Sequence, residues 1–154
     1  MAFNISDTLD VVLGHVASSG HVSGSSLGEP VIPPEGVERL FGSVYMRSTS
    51  VLIVYGDGAT QESHVVVVRL YRPVLREPVA DGERELAIAA SELLEDLAED
   101  FTLGATVREI DVAGGQGGVS LGSEWGHIEM GNLMYRVVDI TVPVIVDDSA
   151  TSAP

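Results

Sequence analysis

The feature that most constrains the fold is a pair of strand-like segments, residues 126–130 and 133–146, separated only by Gly131-Asn132. Glycine and asparagine tolerate the positive φ angles that a two-residue hairpin turn needs for its twist to match the strands. The second segment is rich in Val, Ile, Thr and Tyr, and one of its faces carries Arg136 as its only charge. This pattern predicts a β-hairpin with one face on a core and the other face partly covered. Pro143 has no N–H for a sheet, so we expect the far half of this strand to lie at a sheet edge or to leave the sheet.

Hydrophobic periodicity predicts two helices and three further strands before this hairpin. The predicted elements are a helix over 4–19, strands over 43–55 and 63–72, a helix over 82–100 with Asp81 as N-cap, and a strand over 106–113. The Gly-, Ser- and Pro-rich segment 21–36 is interpreted as a surface loop, with Val31-Ile32 as the alternative, a short edge strand. Residues 1–146 are therefore predicted to form a single α+β domain, with a mostly antiparallel or mixed sheet of about four to five strands and two helices packed on one face. Residues 147–154 are predicted to form a flexible acidic tail.

The large negative net charge argues against some classes of binding partner. The chain has 23 acidic and 8 basic residues, a formal net charge of −15, and it contains neither lysine nor cysteine. An acidic surface repels nucleic-acid phosphates and anionic membranes, so tight binding to either is not expected. No segment approaches the roughly 20 apolar residues of a membrane span. The N-terminus also lacks the basic region of a secretion signal, which predicts a soluble protein made in the cytoplasm.

The residue patterns that indicate a metal site, a phosphate-binding loop or a catalytic nucleophile are weak in this sequence. The four histidines, at positions 15, 21, 64 and 127, stand at no spacing typical of a metal site. The glycine-rich segment 114–118 lacks the following helix and the Lys-Ser/Thr of a phosphate-binding loop, and is interpreted as a flexible connector. No G-x-S-x-G nucleophile motif occurs. We therefore expect a protein that is not an enzyme and that has no catalytic residues, metal or cofactor.

The order of landmarks in the second half of the chain resembles that of the tail terminator proteins of long, non-contractile-tailed bacteriophages of actinobacteria. The stretches that carry the resemblance are Val67–Pro78, Asp100–Asp111, Gly126–Val138 and Ile140–Val146, with an amphipathic helix between the first two. With the segments between them, they cover residues 67–146, about half of the chain. They are structural signatures and not catalytic fingerprints.

The resemblance implies a small α+β fold and a structural role in the virion. Tail terminators form a ring, typically of six subunits, that caps the finished tail tube and stops further tube subunits from adding. The opposite face of the ring docks the neck and head, and DNA passes through the hole. The implied partners are therefore other copies of the chain, the tail tube protein and a neck or head-completion protein. The implied location is the head-proximal end of the tail, after assembly in the host cytoplasm.

A ring of head-to-tail contacts requires two different complementary patches on each subunit. Aromatic residues, Met and Arg are enriched at interface cores. Residues of these types that lie outside the apolar faces of the two predicted helices are therefore the candidates for these patches. The candidate inter-subunit residues are Phe41, Tyr45, Met46, Arg47, Arg72, Arg76, Trp125, Met130 and Tyr135. The alternative for each apolar member of the set is packing in the subunit's own core. The candidate acids facing the hole are Asp57, Glu62, Asp147 and Asp148.

Two other functions stay open at the level of sequence. One is a different neck component, such as a head-completion or tube protein. The other, from a different class, is a small ligand-binding α+β domain or enzyme, which would need a deep pocket with convergent polar groups.

Overall fold

A single mixed sheet runs through the protein, and two helices pack on one of its faces. The computed structural model describes residues 3–30, 40–74 and 79–148. Within these residues the elements are α1 (Ile5–Ser18), β1 (Val22–Leu27), β2 (Leu40–Val54), β3 (Thr60–Pro73), α2 (Val79–Glu99), β4 (Glu109–Ile110), β5 (Gly122–Met130) and β6 (Leu133–Asp148). The strands are ordered β1-β2-β3-β6-β4, and β5 also pairs with β6. β1 is parallel to β2, whereas the other pairs are antiparallel. The predicted α+β class is confirmed, with six strands in the described residues where about four to five were expected.

The main core lies between the sheet and the two helices. α1 begins after Asn4, whose side chain accepts a hydrogen bond from the Ser6 N–H at 3.0 Å and so caps the helix. Its buried residues Val12 and Val16 face the sheet. α2 contributes the stripe that its sequence spacing predicts, Leu86, Ala89, Ala90, Leu93 and Leu97. These side chains pack against alternate residues of the central strands, among them Val66, Val68, Val138, Ile140 and Val142.

A second, smaller core lies around three aromatic rings. Tyr71 on β3 is 5.4 Å from Phe41 and 5.8 Å from Tyr135, measured between ring centroids. Met130 and Val137 are buried in the same cluster. Such tilted and edge-to-face pairs add to the stabilisation that burial of the rings already provides. The aromatic cluster lies on the face of the sheet opposite the helices, so Tyr71 is buried on one face of β3 while Val66 and Val68 are buried on the other.

The predicted hairpin is confirmed, and it is longer than expected. Gly131 and Asn132 both have positive φ, 55° and 68°, as the turn requires. β5 begins at Gly122, and β6 continues through Asp147 and Asp148, which pair with Gln61 and Thr60. The predicted boundary at residue 146 is therefore two residues too early, because β3 provides partners for the strand beyond that point.

The expectation for Pro143 was wrong. This residue lies inside the sheet, opposite Val65 of β3. On its other side, pairing with β5 ends at Thr141 and pairing with β4 begins at Val144. The proline carbonyl accepts a hydrogen bond from the Asp111 N–H at 2.9 Å. Because N–H and C=O of one residue point to the same side of an antiparallel strand, the missing donor falls in the gap between two partner strands.

Three further predictions need correction. α2 begins at Val79, so Asp81 lies in its first turn and is not its N-cap. Segment 21–36 was interpreted as a loop, yet residues 22–27 form edge strand β1, while Val31-Ile32 lies outside the described residues. The strand predicted over 106–113 is reduced to the two residues of β4. The chain before it makes a tight turn in which Leu103, Gly104 and Ala105 all have positive φ. Thr106 and Val107 still belong to this turn, because their N–H groups donate to the Thr102 carbonyl at 3.1 and 3.2 Å, so strand pairing with β6 begins only after them.

Candidate functional surfaces at the two ends of the sheet

The two ends of the sheet differ in shape and charge. At one end, β2 and β3 extend as a hairpin, and we call its outer part, residues 48–59, the arm. β1 pairs with β2 only as far as Val44, so in the described part of the chain no strand covers the outer edge of residues 45–54. Four large apolar side chains of the arm are exposed, Val51, Ile53, Val54 and Tyr55, with Val54 at 68 %. An exposed apolar edge strand is a ready template for association with another chain.

The structure brings the four candidate lumen acids to this same end. Asp57 is in the turn of the arm, where its carboxylate accepts the Ala59 N–H at 3.0 Å. Glu62 bonds Thr60 Oγ1 and His64 Nε2, both at 2.9 Å. Asp147 pairs with Arg108 at 3.1 Å, and Asp148 lies opposite Thr60. Acids that are far apart in the sequence therefore form one acidic end of the sheet.

The opposite end has an open cavity of about 400 Å³ between the start of α2 and the ends of β3, β5 and β6. Its lining consists of Arg72, Pro73, Val74, Ala80, Gly82, Glu83, His127 and Arg136. A β-carbon on Gly82 would lie 2.2 Å from Arg72 Nη1, so glycine is what lets this guanidinium lie against the helix. We call this region the cavity end.

The arginines of the cavity end already have acidic partners. Arg72 Nη1 is 3.4 Å from a Glu85 carboxylate oxygen. Arg136 makes two hydrogen bonds to Glu83, of 3.0 and 3.1 Å. These bonds lower the pKa of Glu83 and raise that of Arg136, and in each residue they outweigh the opposing effect of desolvation. The arginines that line this cavity are thus already paired with glutamates. The surface left to contact a partner is the apolar rim of the cavity.

That rim carries the only tryptophan of the chain. Trp125 is 38 % exposed, and the Arg136 guanidinium carbon lies 5.2 Å from the centre of its ring. Leu133 and Met134, at the start of β6, are also exposed. Because successive side chains of a strand point to opposite faces, Met134 lies on the face of Trp125 and Arg136, whereas Leu133 lies on the face of Tyr135. The Met134 carbonyl accepts a hydrogen bond from the Val74 N–H, which joins the rim to the cavity wall.

Several predicted contact residues turn out to be part of the subunit's own core. Met130 and Tyr135 are buried in the aromatic cluster, and Phe41 packs against it. Met46 packs against the main core. Arg47 lies across the sheet with its guanidinium 3.5 Å from Thr141 Oγ1. Arg76 lies outside the described residues.

Tyr45 belongs to a polar cluster that the sequence did not indicate. Arg69 and Asp139, on neighbouring strands, form a two-pronged ion pair of 2.7 and 2.9 Å. The Arg69 guanidinium lies 5.5 Å from the centre of the Tyr45 ring. The hydrogen bond to Asp139 raises the pKa of Arg69, whereas desolvation is the main cause of the raised pKa of Tyr45. The two partners are 70 residues apart, so only the β3–β6 register could reveal the pair.

Three of the four histidines and the glycine-rich segment have structural partners. His15 bonds Asp100 at 2.8 Å, His64 bonds Glu62, and His21 bonds Glu92. In the glycine-rich segment, the buried Asp111 carboxylate accepts the N–H groups of Gln116 and Gly117 at 3.1 and 2.8 Å. The expectation of a flexible connector was therefore wrong, because this carboxylate holds the loop in place.

Neither metal-binding clusters nor membrane helices occur in the part of the chain that the structure describes. No group of three or more potential metal ligands comes together there. No helix among those residues is long and apolar enough to span a membrane. In comparisons with known proteins, no family model matches the chain, and no curated protein matches it significantly.

Proposed function

We propose that this protein is a tail terminator of a long, non-contractile-tailed bacteriophage. The observation that carries the proposal is the resemblance of the stretches in the second half of the chain to that family. In the fold these stretches are neighbours, because they contribute to β3, β4, β5 and β6, which pair side by side. The resemblance also implies a small α+β domain with a mixed or antiparallel sheet and flanking helices, and this chain has a mixed sheet with two helices packed on it.

The shape of the subunit supports assembly into a ring. A closed ring is built from heterologous contacts, in which one patch of each subunit meets a different patch of the next. The arm and the cavity end are two such unlike surfaces, and each exposes large apolar side chains. We expect a six-fold ring on tails, and monomers in dilute solution.

The charge distribution supports passage of DNA without capture. A net charge of −15 and the acidic end formed by Asp57, Glu62, Asp147 and Asp148 leave little that would hold a phosphate backbone. A terminator that lines the path of the genome needs this property.

Electron microscopy of purified virions labelled with an antibody against this chain tests the proposal. We expect label only at the head-proximal end of the tail. Phage production without this chain should give tails of uncontrolled length, because nothing then stops addition of tube subunits.

The same experiment separates the proposal from its rival within the virion. A head-completion protein would leave tails of normal length and heads that fail to join them or to keep their DNA. Absence of label from the head-proximal end of the tail would rule out the terminator role.

A further inference from the structure

We propose that neighbouring subunits join by docking the arm of one copy onto the cavity end of the next. This inference rests on the proposed ring and names the surfaces that close it. The partner of each surface is a second copy of this chain.

The arm has an uncharged, apolar edge of the kind that another chain or element normally covers. Residues 48–56 contain no charged side chain, although 20% of the residues of the whole chain are charged. Natural edge strands are normally protected by charges, prolines or a covering element. Here Val51, Ile53 and Val54 are exposed on an edge that has no strand partner among the described residues.

The cavity end provides a receptor of matching character. Near its cavity of about 400 Å³, this end carries an apolar rim of three exposed side chains, Trp125 and Met134 on the cavity's face of the sheet and Leu133 on the other face. Together, the arm and this rim account for seven of the twelve exposed large apolar side chains of the described residues. A protruding apolar hairpin and an apolar-rimmed cavity are complementary in shape as well as in chemistry.

Electrostatics favour a second copy as the occupant. Two molecules of net charge −15 repel each other, so they can meet only where local charge is absent or balanced. The arm has Asp57 as its single charge. At the cavity end, Arg72 and Arg136 balance Glu85 and Glu83, and His127 lies beside them. These two surfaces are therefore suited to contact between like-charged subunits.

The placement of the two surfaces suits a ring and not a closed dimer. β6 begins at the cavity end and finishes beside the arm, because Tyr135 pairs with Pro73 and Asp148 pairs with Thr60. A strand of this length spans about 50 Å at roughly 3.3 Å per residue. Unlike patches at opposite ends of one subunit produce head-to-tail association.

Docking of the arm changes the expected position of one candidate lumen acid. Asp57 would enter the contact and face Arg72, Arg136 and His127 of the neighbour. Glu62 and Asp147 lie on β3 and β6, one and two strands away from the open edge of β2, and stay available to line the hole.

Disulfide trapping tests the contact directly, because the chain contains no cysteine of its own. The variants pair one arm position with one rim position, and Val54→Cys/Met134→Cys is the first. Further pairs combine Val51→Cys or Ile53→Cys with Leu133→Cys, so that one wrong register does not decide the outcome. Since a disulfide requires Cα atoms about 4.4–6.8 Å apart, only true neighbours react efficiently.

We expect a ladder of covalent oligomers from the double variants under mild oxidation at high protein concentration. Each single-cysteine variant should stop at the dimer. The matched control is Val54→Cys/Ile88→Cys, since Ile88 is equally exposed but lies on α2, outside both surfaces. Ladders no stronger than this control in all arm–rim pairs would overturn the proposal.

A charge variant gives an independent measurement. Val51→Glu/Val54→Glu places two acids on the arm, and we expect complete loss of rings from assembled tails while circular dichroism shows a folded monomer. Ile88→Glu should keep the rings. If the arm variant also keeps them, the docking inference fails but the terminator function stands. If the unmodified chain is absent from the head-proximal end of tails, the proposed function itself fails, whatever the cross-linking shows.

Discussion

At the scale of single residues, the Arg69–Asp139 pair is the interaction whose loss should destabilise the fold most. Both side chains are largely buried, with 13 % and 16 % of their surfaces exposed. Removing one partner leaves an uncompensated charge against the sheet, so we expect Arg69→Met to lower the free energy of unfolding by about 2–4 kcal/mol. The measurement is urea unfolding followed by circular dichroism.

Arg84→Met is the matched control for that prediction. Arg84 pairs with Asp81 at the surface, where the side chains are 75 % and 69 % exposed, so its loss should cost less than about 1 kcal/mol. The double variant Arg69→Met/Asp139→Leu should recover part of the stability, because neither charge then remains buried. Equal costs for Arg69→Met and Arg84→Met would contradict our account of the pair.

A second prediction at the scale of single residues concerns Asp100 and the dependence of stability on pH. Burial acts to raise the pKa of Asp100, but hydrogen bonds from His15 and the Gly104 N–H, together with the His15 charge, lower it below its ordinary value of 3.8. A carboxyl whose folded-state pKa is depressed stabilises the fold above its unfolded pKa and loses this contribution as pH falls through the folded pKa.

We therefore expect Asp100→Asn to be less stable than wild type near neutral pH, with a difference that shrinks below pH 4 and vanishes in stronger acid. Thermal unfolding at a series of pH values measures it. Asp96→Asn, at an exposed position of α2 one turn before Asp100, is the control and should follow the wild-type profile. A difference between Asp100→Asn and wild type that is constant with pH would show that ionisation of Asp100 does not contribute.

At the scale of elements, the turn between β5 and β6 determines how the longest strand enters the sheet. Gly131 and Asn132 both occupy the left-handed region, where a β-branched residue is strained by roughly 1–3 kcal/mol. We expect Gly131→Val/Asn132→Val to give insoluble or much less stable protein. A one-residue slip would also exchange the two faces of β6, moving Val138, Ile140 and Val142 away from the helices.

Asn132→Gly is the matched variant, because glycine accepts the same backbone angles. We expect it to be soluble, with a melting temperature close to that of wild type. A Val/Val variant that melts within a degree or two of wild type would mean that the turn does not control the register.

At the scale of the whole molecule, the charge predicts that duplex DNA is not held. Affinity for DNA comes mainly from Lys and Arg that neutralise phosphates, and this chain has eight Arg and no Lys. Arg69, Arg72 and Arg136 are moreover paired with acids. We expect no measurable binding at 0.15 M salt, and little gain at lower salt, in a fluorescence-anisotropy titration with a labelled duplex.

Micromolar binding that strengthens steeply as salt is removed would contradict this picture, since that dependence is typical of phosphate contacts. Arg47, the exposed arginine of β2, would then be the first residue to replace, followed by Arg69, Arg72 and Arg76.

The sequence alone was sufficient for those parts of the protein that local signals specify. The turn at Gly131-Asn132 and the amphipathic helix α2 each depend on residues a few positions apart, and both were predicted. Tertiary structure decided the rest. Pro143 fits inside the sheet only because β5 ends and β4 begins beside it. Tertiary structure also decided the burial of Tyr135 against Tyr71 and the pairing of Arg69 with Asp139. It likewise brought the acids together at the arm end. Each of these arises from strand register across tens of residues, and side-chain periodicity within one strand carries no information about which partner strand will lie opposite.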